Sequence, residues 1–201
     1  MDIRDRILSA AGRVYAQHGF RGATTRLIAE EAGVNEVSIF RTFGSKDTLF
    51  EALARGQADA TTVPPLPAQP EDPERELTAW CDTVLAHLTQ HRSFLRKSMS
   101  DTEDRPHAAE AACKGPHCAR DVLTGYVAAM RAAGSAAPDA DVETAISMLT
   151  STLFADAMCR ELMPDTFPNP ATSAPQRYVR GFLRAVGNQA PRARSDAPNA
   201  T

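Results

Sequence analysis

Positive charge is not in surplus in this chain: 22 Lys and Arg stand against 25 Asp and Glu, for a formal net charge of −3. That excludes a protein that holds polyanions by bulk charge, and the balance is also local, since residues 1–60 carry eight basic and eight acidic side chains. Attraction to an anion must therefore come from where individual charges sit. No stretch approaches the ~18 consecutive apolar residues of a membrane span. Asp2, Arg4, Asp5, Arg6 and Arg13 break the N-terminal apolar pattern, unlike a secretion signal, so a cytoplasmic protein without membrane contact is expected. Cys81, Cys113, Cys118 and Cys159 are too few for a disulfide framework and are expected to be reduced. Gly-x-Ser-x-Gly, a phosphate loop, a dinucleotide glycine pattern and a well-spaced acid–base pair are all missing, which predicts no enzyme, no catalytic residue and no cofactor. No β-rich or repeated segment is present.

What is present is helical punctuation. Thr24 and Thr25 suit a helix start, and Ile28, Ala29 and Ala32 recur at helical spacing behind them. Gly33 can end that helix in a left-handed conformation, Val34 can plug the inside of the turn, and Asn35 can cap a second helix through Phe43. In that second helix Ile39 and Phe43, four apart, face inward and leave Glu36, Val37, Ser38, Phe40, Arg41 and Thr42 over the remaining surface. Residues 24–43 thus read as a helix-turn-helix with an outward face suited to the DNA major groove. Ahead of it, Ile3, Ile7, Leu8, Ala11, Val14, Tyr15 and His18 form a stripe that needs a partner, with Gly19 at the helix exit. Behind it, Ser45 suits a cap for a fourth helix, where Lys46 and the first-turn N–H groups can meet a phosphate.

These residues, with ILSAAGRVYAQHGF before them and FGSKDTLFEAL after, resemble the DNA-binding domain of the tetracycline-repressor (TetR) family of bacterial transcription regulators. The resemblance covers roughly the first third of the chain. It implies an all-α protein, with an N-terminal three-helix helix-turn-helix DNA-binding domain and a C-terminal helical ligand-binding and dimerisation domain. It further implies a ligand-responsive repressor that binds a palindromic double-stranded operator as a homodimer, answers an unknown small-molecule effector, and relays the signal through the fourth helix. The DNA-contact residues carried over are Thr25, Arg26, Asn35, Glu36, Val37, Ser38, Phe40, Arg41, Thr42 and Lys46, with Arg4, Arg6 and Arg21 at or near the DNA side. The pattern departs from the family where Phe40 stands for a common Tyr and Thr42 for a common His. Two usual phosphate contacts are thereby altered, and Arg41 can grip a phosphate or read guanine. Glu36 can accept from cytosine N4 or simply favour the helix N-terminus through the helix dipole.

Five prolines in TTVPPLPAQPEDP, residues 61–73, forbid a continuing helix, so domains are expected at 1–60 and 61–189 with a disordered tail at 190–201. Helical patterns follow at 74–91, 116–133, 141–163 and 174–186, with a shorter stretch near 94–112. The last two helices are the expected dimer interface, and the row Ser147, Ser151 and Ala155 permits close helix approach. Trp80, Phe94, Met99, Tyr126, Met130, Met148, Phe154 and Met158 suit either core or the walls of a ligand cavity, and no residue is assigned to an effector. His87 and His91, one turn apart, and Cys113, His117 and Cys118 around Gly115-Pro116 leave open a metal- or thiol-responsive sensor. No complete metal site is expected, because HLTQH lacks the Glu of HExxH and the cysteines lack paired clusters. A helical enzyme is the remoter alternative.

Overall fold

The computed structural model is all-α and describes residues 2–60, 63–100 and 114–187, with all side chains among these except those at 55, 57–60 and 114–117. Cys113 and the tail at 190–201 lie outside the described residues, as does the side chain of His117. The described helices are α1 Ile3–Gly22, α2 Thr25–Ala32, α3 Glu36–Phe43, α4 Lys46–Ala60, α5 Pro73–Gln90, α6 Arg92–Ser100, α7 Lys114–Ala132, α8 Val142–Cys159 and α9 Ala174–Ala185. No described residue before α5 continues a helix through the prolines, and Pro73 sits where its missing N–H costs nothing, at the first helical position. Packing divides the chain into two compact units. Met1–Val63 goes with Ala86–Ala119, and Pro64–Leu85 goes with Arg120–Thr201.

In the first unit α1 starts at the Asp2 cap and turns Ile7, Ala10, Ala11, Val14 and Tyr15 inward. The helix kinks at Gly19, whose φ of 66° is a left-handed value that a side chain would strain. Ile28, Ala29 and Ala32 of α2, Ile39 and Phe43 of α3, and Leu49, Phe50 and Leu53 of α4 close over the α1 stripe as one core. Phe94 of α6 packs on the same core, its ring 5.0 Å from that of Tyr15. Methionines expected to be core or cavity wall are not all so: Met99 is 54% exposed and Met148, in the second unit, 63%.

The second unit buries Leu77, Trp80 and Cys81 of α5, Leu123, Tyr126, Val127 and Met130 of α7, Leu149, Leu153 and Met158 of α8, and Val179, Phe182 and Leu183 of α9. The buried side-chain polar atoms among its described residues are paired. Trp80 Nε1 donates to the Pro64 carbonyl at 2.8 Å, and the Tyr126 hydroxyl donates to Glu76, which also accepts from the Glu71 and Asp72 amides. Asp156 is only 2% exposed, yet both its oxygens are engaged by Arg160, and the Tyr178 hydroxyl donates to it at 2.6 Å. Arg160 also donates to the Pro168 carbonyl at 3.0 Å and lies over the Phe167 ring, so one buried carboxylate ties α8, the following loop and α9 together. A groove of about 450 Å³ opens on α7 and α8, with Val127 and Ile146 on its floor and the Arg120–Glu143 ion pair at its rim. None of the methionines or aromatic residues proposed as cavity wall lines it.

Two outcomes follow from these arrangements. Arg160→Met strands a buried carboxylate and should cost about 3–5 kcal/mol. Tyr178→Phe removes one donor from the same group and should cost about 1–2 kcal/mol. Urea unfolding of both variants checks the order, and a larger loss for Tyr178→Phe would contradict a carboxylate-centred cluster. The second outcome concerns His87, held below its ordinary value of 6.5 by burial and then by His91, whose ring centroid is 4.5 Å away. A lowered folded-state pKa means the unfolded chain binds more protons just below pH 6.5, so stability rises with pH through that window and is complete above it. Urea midpoints measured from about pH 5 to 7 should rise with pH, and His87→Gln should flatten the rise.

Candidate nucleic-acid interface

The exposed surface of α2 and α3 is set by how each helix begins and ends. Thr24 caps α2 through the Leu27 amide at 3.2 Å. At the other end Gly33 has φ 63°, its amide donates to the Glu30 carbonyl, and the Val34 amide donates to the Ala29 carbonyl, the paired bonds of a Schellman stop. Arg6 completes that stop by donating to the Ala32 carbonyl at 2.7 Å and the Gly33 carbonyl at 3.1 Å. Its guanidinium is therefore engaged with the α2 terminus, where cationic groups are stabilised. Arg4, itself exposed, lies over the Phe43 ring at 5.5 Å. Asn35 caps α3 through the Val37 amide at 2.9 Å, and Val34 packs on the core beneath the turn.

With Ile39 and Phe43 buried, α3 turns the rest of its length outward. Val37 is 70% exposed and Phe40 47%; Arg26, Asn35 and Arg41 are exposed, and Thr25, Glu36, Ser38, Thr42 and Lys46 half-buried. All ten sequence-selected residues are thus at least partly exposed in the first unit, but several have partners already. The Thr25 hydroxyl donates to Glu36 at 2.5 Å, bridging the first turns of α2 and α3. Thr42 donates to the Ser38 carbonyl at 2.7 Å, and Arg26 to Glu30 at 3.1 Å on an open surface. Ser45 caps α4 through the Thr48 amide at 3.1 Å. The Lys46 ammonium donates to the Phe20 carbonyl at 2.5 Å and stands 4.3 Å from the Phe20 ring centroid, fastening the start of α4 to the exit of α1.

Residues 7–53 match the model of the tetR family of bacterial regulatory proteins. That segment, residues 7–53, is similar to the tetR family's regulatory proteins. The chain is 47% identical over 55 residues to the HTH-type transcriptional repressor AcnR of Corynebacterium glutamicum, a match taking in 27% of this chain and 29% of that protein. It is 31% identical over 128 residues to the HTH-type transcriptional regulator RutR of Escherichia coli, across 62% of this chain and 54% of that one. The fold extends further than sequence likeness does: the solved structure of the fatty acid degradation regulator FadR from Bacillus halodurans matches 94% of this chain and 98% of its own with a TM-score of 0.70 at 17% identity. The fold is thus shared along most of the chain, whereas the family model matches residues 7–53.

Two features of this surface escaped the sequence. The Thr25–Glu36 bridge joins residues 11 apart across a turn, and the Arg6 stop reaches 26 residues. Each contact crosses from one helix to another, so only the packed domain reveals them. Lys46→Ala should lower the stability of the isolated protein by about 1–2 kcal/mol through loss of a hydrogen bond and a cation–ring contact. Thermal unfolding without any DNA checks this, and an unchanged midpoint would remove Lys46 from the α1–α4 joint.

Proposed function

We propose that this chain is a DNA-binding transcriptional regulator, a ligand-responsive repressor that grips a palindromic operator as a homodimer. The observation that carries the reading is α3, an eight-residue helix capped at its start, anchored by two buried side chains and bare along its outer face. A face of that size on a rigid support fits the major groove. In this reading Val37, Ser38, Phe40 and Arg41 meet base edges or the sugar–phosphate wall of the groove. Thr25, Arg26, Asn35, Glu36, Thr42 and Lys46 border them and fix register on the phosphates or on one another. Glu36 acts mainly by holding Thr25 and by lying at two helix N-termini, which favours a dipole role over cytosine reading.

The homodimer would use α8 and α9. Support comes from the outer side of α8, where Ser147 and Ser151 are exposed rather than packed inside the subunit, and Met148 offers an apolar side chain to the same side. The domains proposed are 1–60 for DNA and 61–189 for effector and dimer contacts. An effector held better by a form with misplaced α3 helices must weaken DNA binding by the factor by which DNA weakens effector binding. A metal or thiol signal has less behind it. Among the described residues no three His, Cys, Asp or Glu side chains gather where they could hold a metal ion. Burial, with Asp82 adding to it, pushes the Cys81 thiol up to about 12, far from a reactive thiolate. No helix of the described residues is long and apolar enough to cross a membrane.

A gel shift on DNA upstream of the protein's own gene tests the proposal, with a retained complex expected at moderate salt and none on scrambled duplex. Arg41, exposed and in no ion pair with a described residue, supplies the sharper variant. If it reads guanine, Arg41→Ala should cost ~1–3 kcal/mol on the operator and flatten preference at one position per half-site. A uniform loss on all sequences would assign it to the phosphates.

A further inference from the structure

α3 shows solvent two apolar side chains that its own fold does not use. Ile39 is fully buried and Phe43 nearly so, while Val37 is 70% exposed and Phe40 47%. Single exposed apolar residues are ordinary. What gives these weight is the state of the polar groups around them. The one hydroxyl proton of Thr25 goes to Glu36, and in accepting it the Glu36 carboxylate is drawn toward α2. The hydroxyl proton of Thr42 goes to the Ser38 carbonyl, and Asn35 Oδ1 is spent on the Val37 amide. Beside these engaged groups the first turn of α3 carries one protruding isopropyl group.

Base edges in the major groove present donors, acceptors and one apolar group, the C5 methyl of thymine. We infer that Val37 is a specificity-determining residue that reads a thymine through that methyl, an inference resting on the proposal that α3 enters the major groove. Val37 is the second residue of α3, in the N-terminal turn that meets base edges in helix-turn-helix proteins. Its β-branched side chain holds essentially one χ1 rotamer in a helix, so closing it against a methyl sacrifices little rotamer freedom. Arg41 follows one turn later on the same side of the helix, so the thymine lies close to whatever position Arg41 contacts.

The test uses the full chain. Binding-site selection from a random duplex library first yields the preferred site, and each thymine in it is then replaced singly by deoxyuridine, which removes only the methyl group. At one thymine per half-site the wild-type protein should lose about four-fold in affinity per methyl, the worth of one buried methylene-sized group. Val37→Ala should bind the unmodified site correspondingly less well and become indifferent to deoxyuridine at that position, while its response at other thymines stays as in the wild type. If no thymine methyl matters to the wild type, or if the penalty persists unchanged in Val37→Ala, the thymine reading is overturned and the DNA-binding proposal stands on the selected site alone. If the wild type selects no sequence at all, the underlying proposal fails with it. Val37 takes no part in the core, so melting curves of the variant should match the wild type.

Discussion

An eight-residue helix has no stability of its own in water, because nucleation costs more than so few hydrogen bonds return. Everything proposed for this protein depends on one such helix, α3, standing still. It does so because Ile39 and Phe43 are buried with Ile7, Val14, Ile28 and Leu49 in a core shared by four helices. Burying side chains of that kind is worth about 1.5–3 kcal/mol each. The anchor residues occupy one face, which leaves the opposite face bare. A reading surface and its support are thus two sides of the same short helix, and the helices around it supply what it lacks in length.

The electrostatics of the first unit follow from the same economy of groups. Its basic and acidic residues balance, and several of its arginines have partners within the domain. Arg6 stops α2, Arg4 lies on Phe43, and Arg13 pairs with Glu31 at 2.7 Å. Arg41 remains outward on α3, and the reading surface is correspondingly apolar at Val37 and Phe40. In the proposed reading such a face gains specificity from shape and methyl contacts more than from a dense set of hydrogen bonds. Its non-specific affinity should be modest, since few cations are available to release counterions.

Local chemistry was legible in the sequence, and long-range chemistry was not. The Thr24 and Asn35 caps, the Gly33 stop, the Val34 plug and the inward pair Ile39 and Phe43 were all readable, because each depends on neighbours within about one helical turn. The Thr25–Glu36 bridge and the Lys46 contact with Phe20 depend on helices meeting in space, and no spacing rule announces them. In the second unit Asp156 and Arg160 stand four apart, a pair that spacing can suggest, but Tyr178 joins them from another helix. Periodicity could not tell a core methionine from an exposed one, as Met130 and Met148 show: both sit in helical patterns, one fully buried and the other open. Effector recognition was the least legible part, since a pocket is a property of how helices pack.

Amide hydrogen exchange of the full chain, with and without its selected operator, tests the central claim most directly. If α3 is the reading element, DNA should slow exchange most strongly in the peptides spanning Asn35 to Arg41. The start of α2 around Thr25 and Arg26 should follow, and no comparable protection should arise elsewhere in the first unit. Clear DNA binding with unchanged exchange across those residues, and protection on another surface instead, would contradict the account.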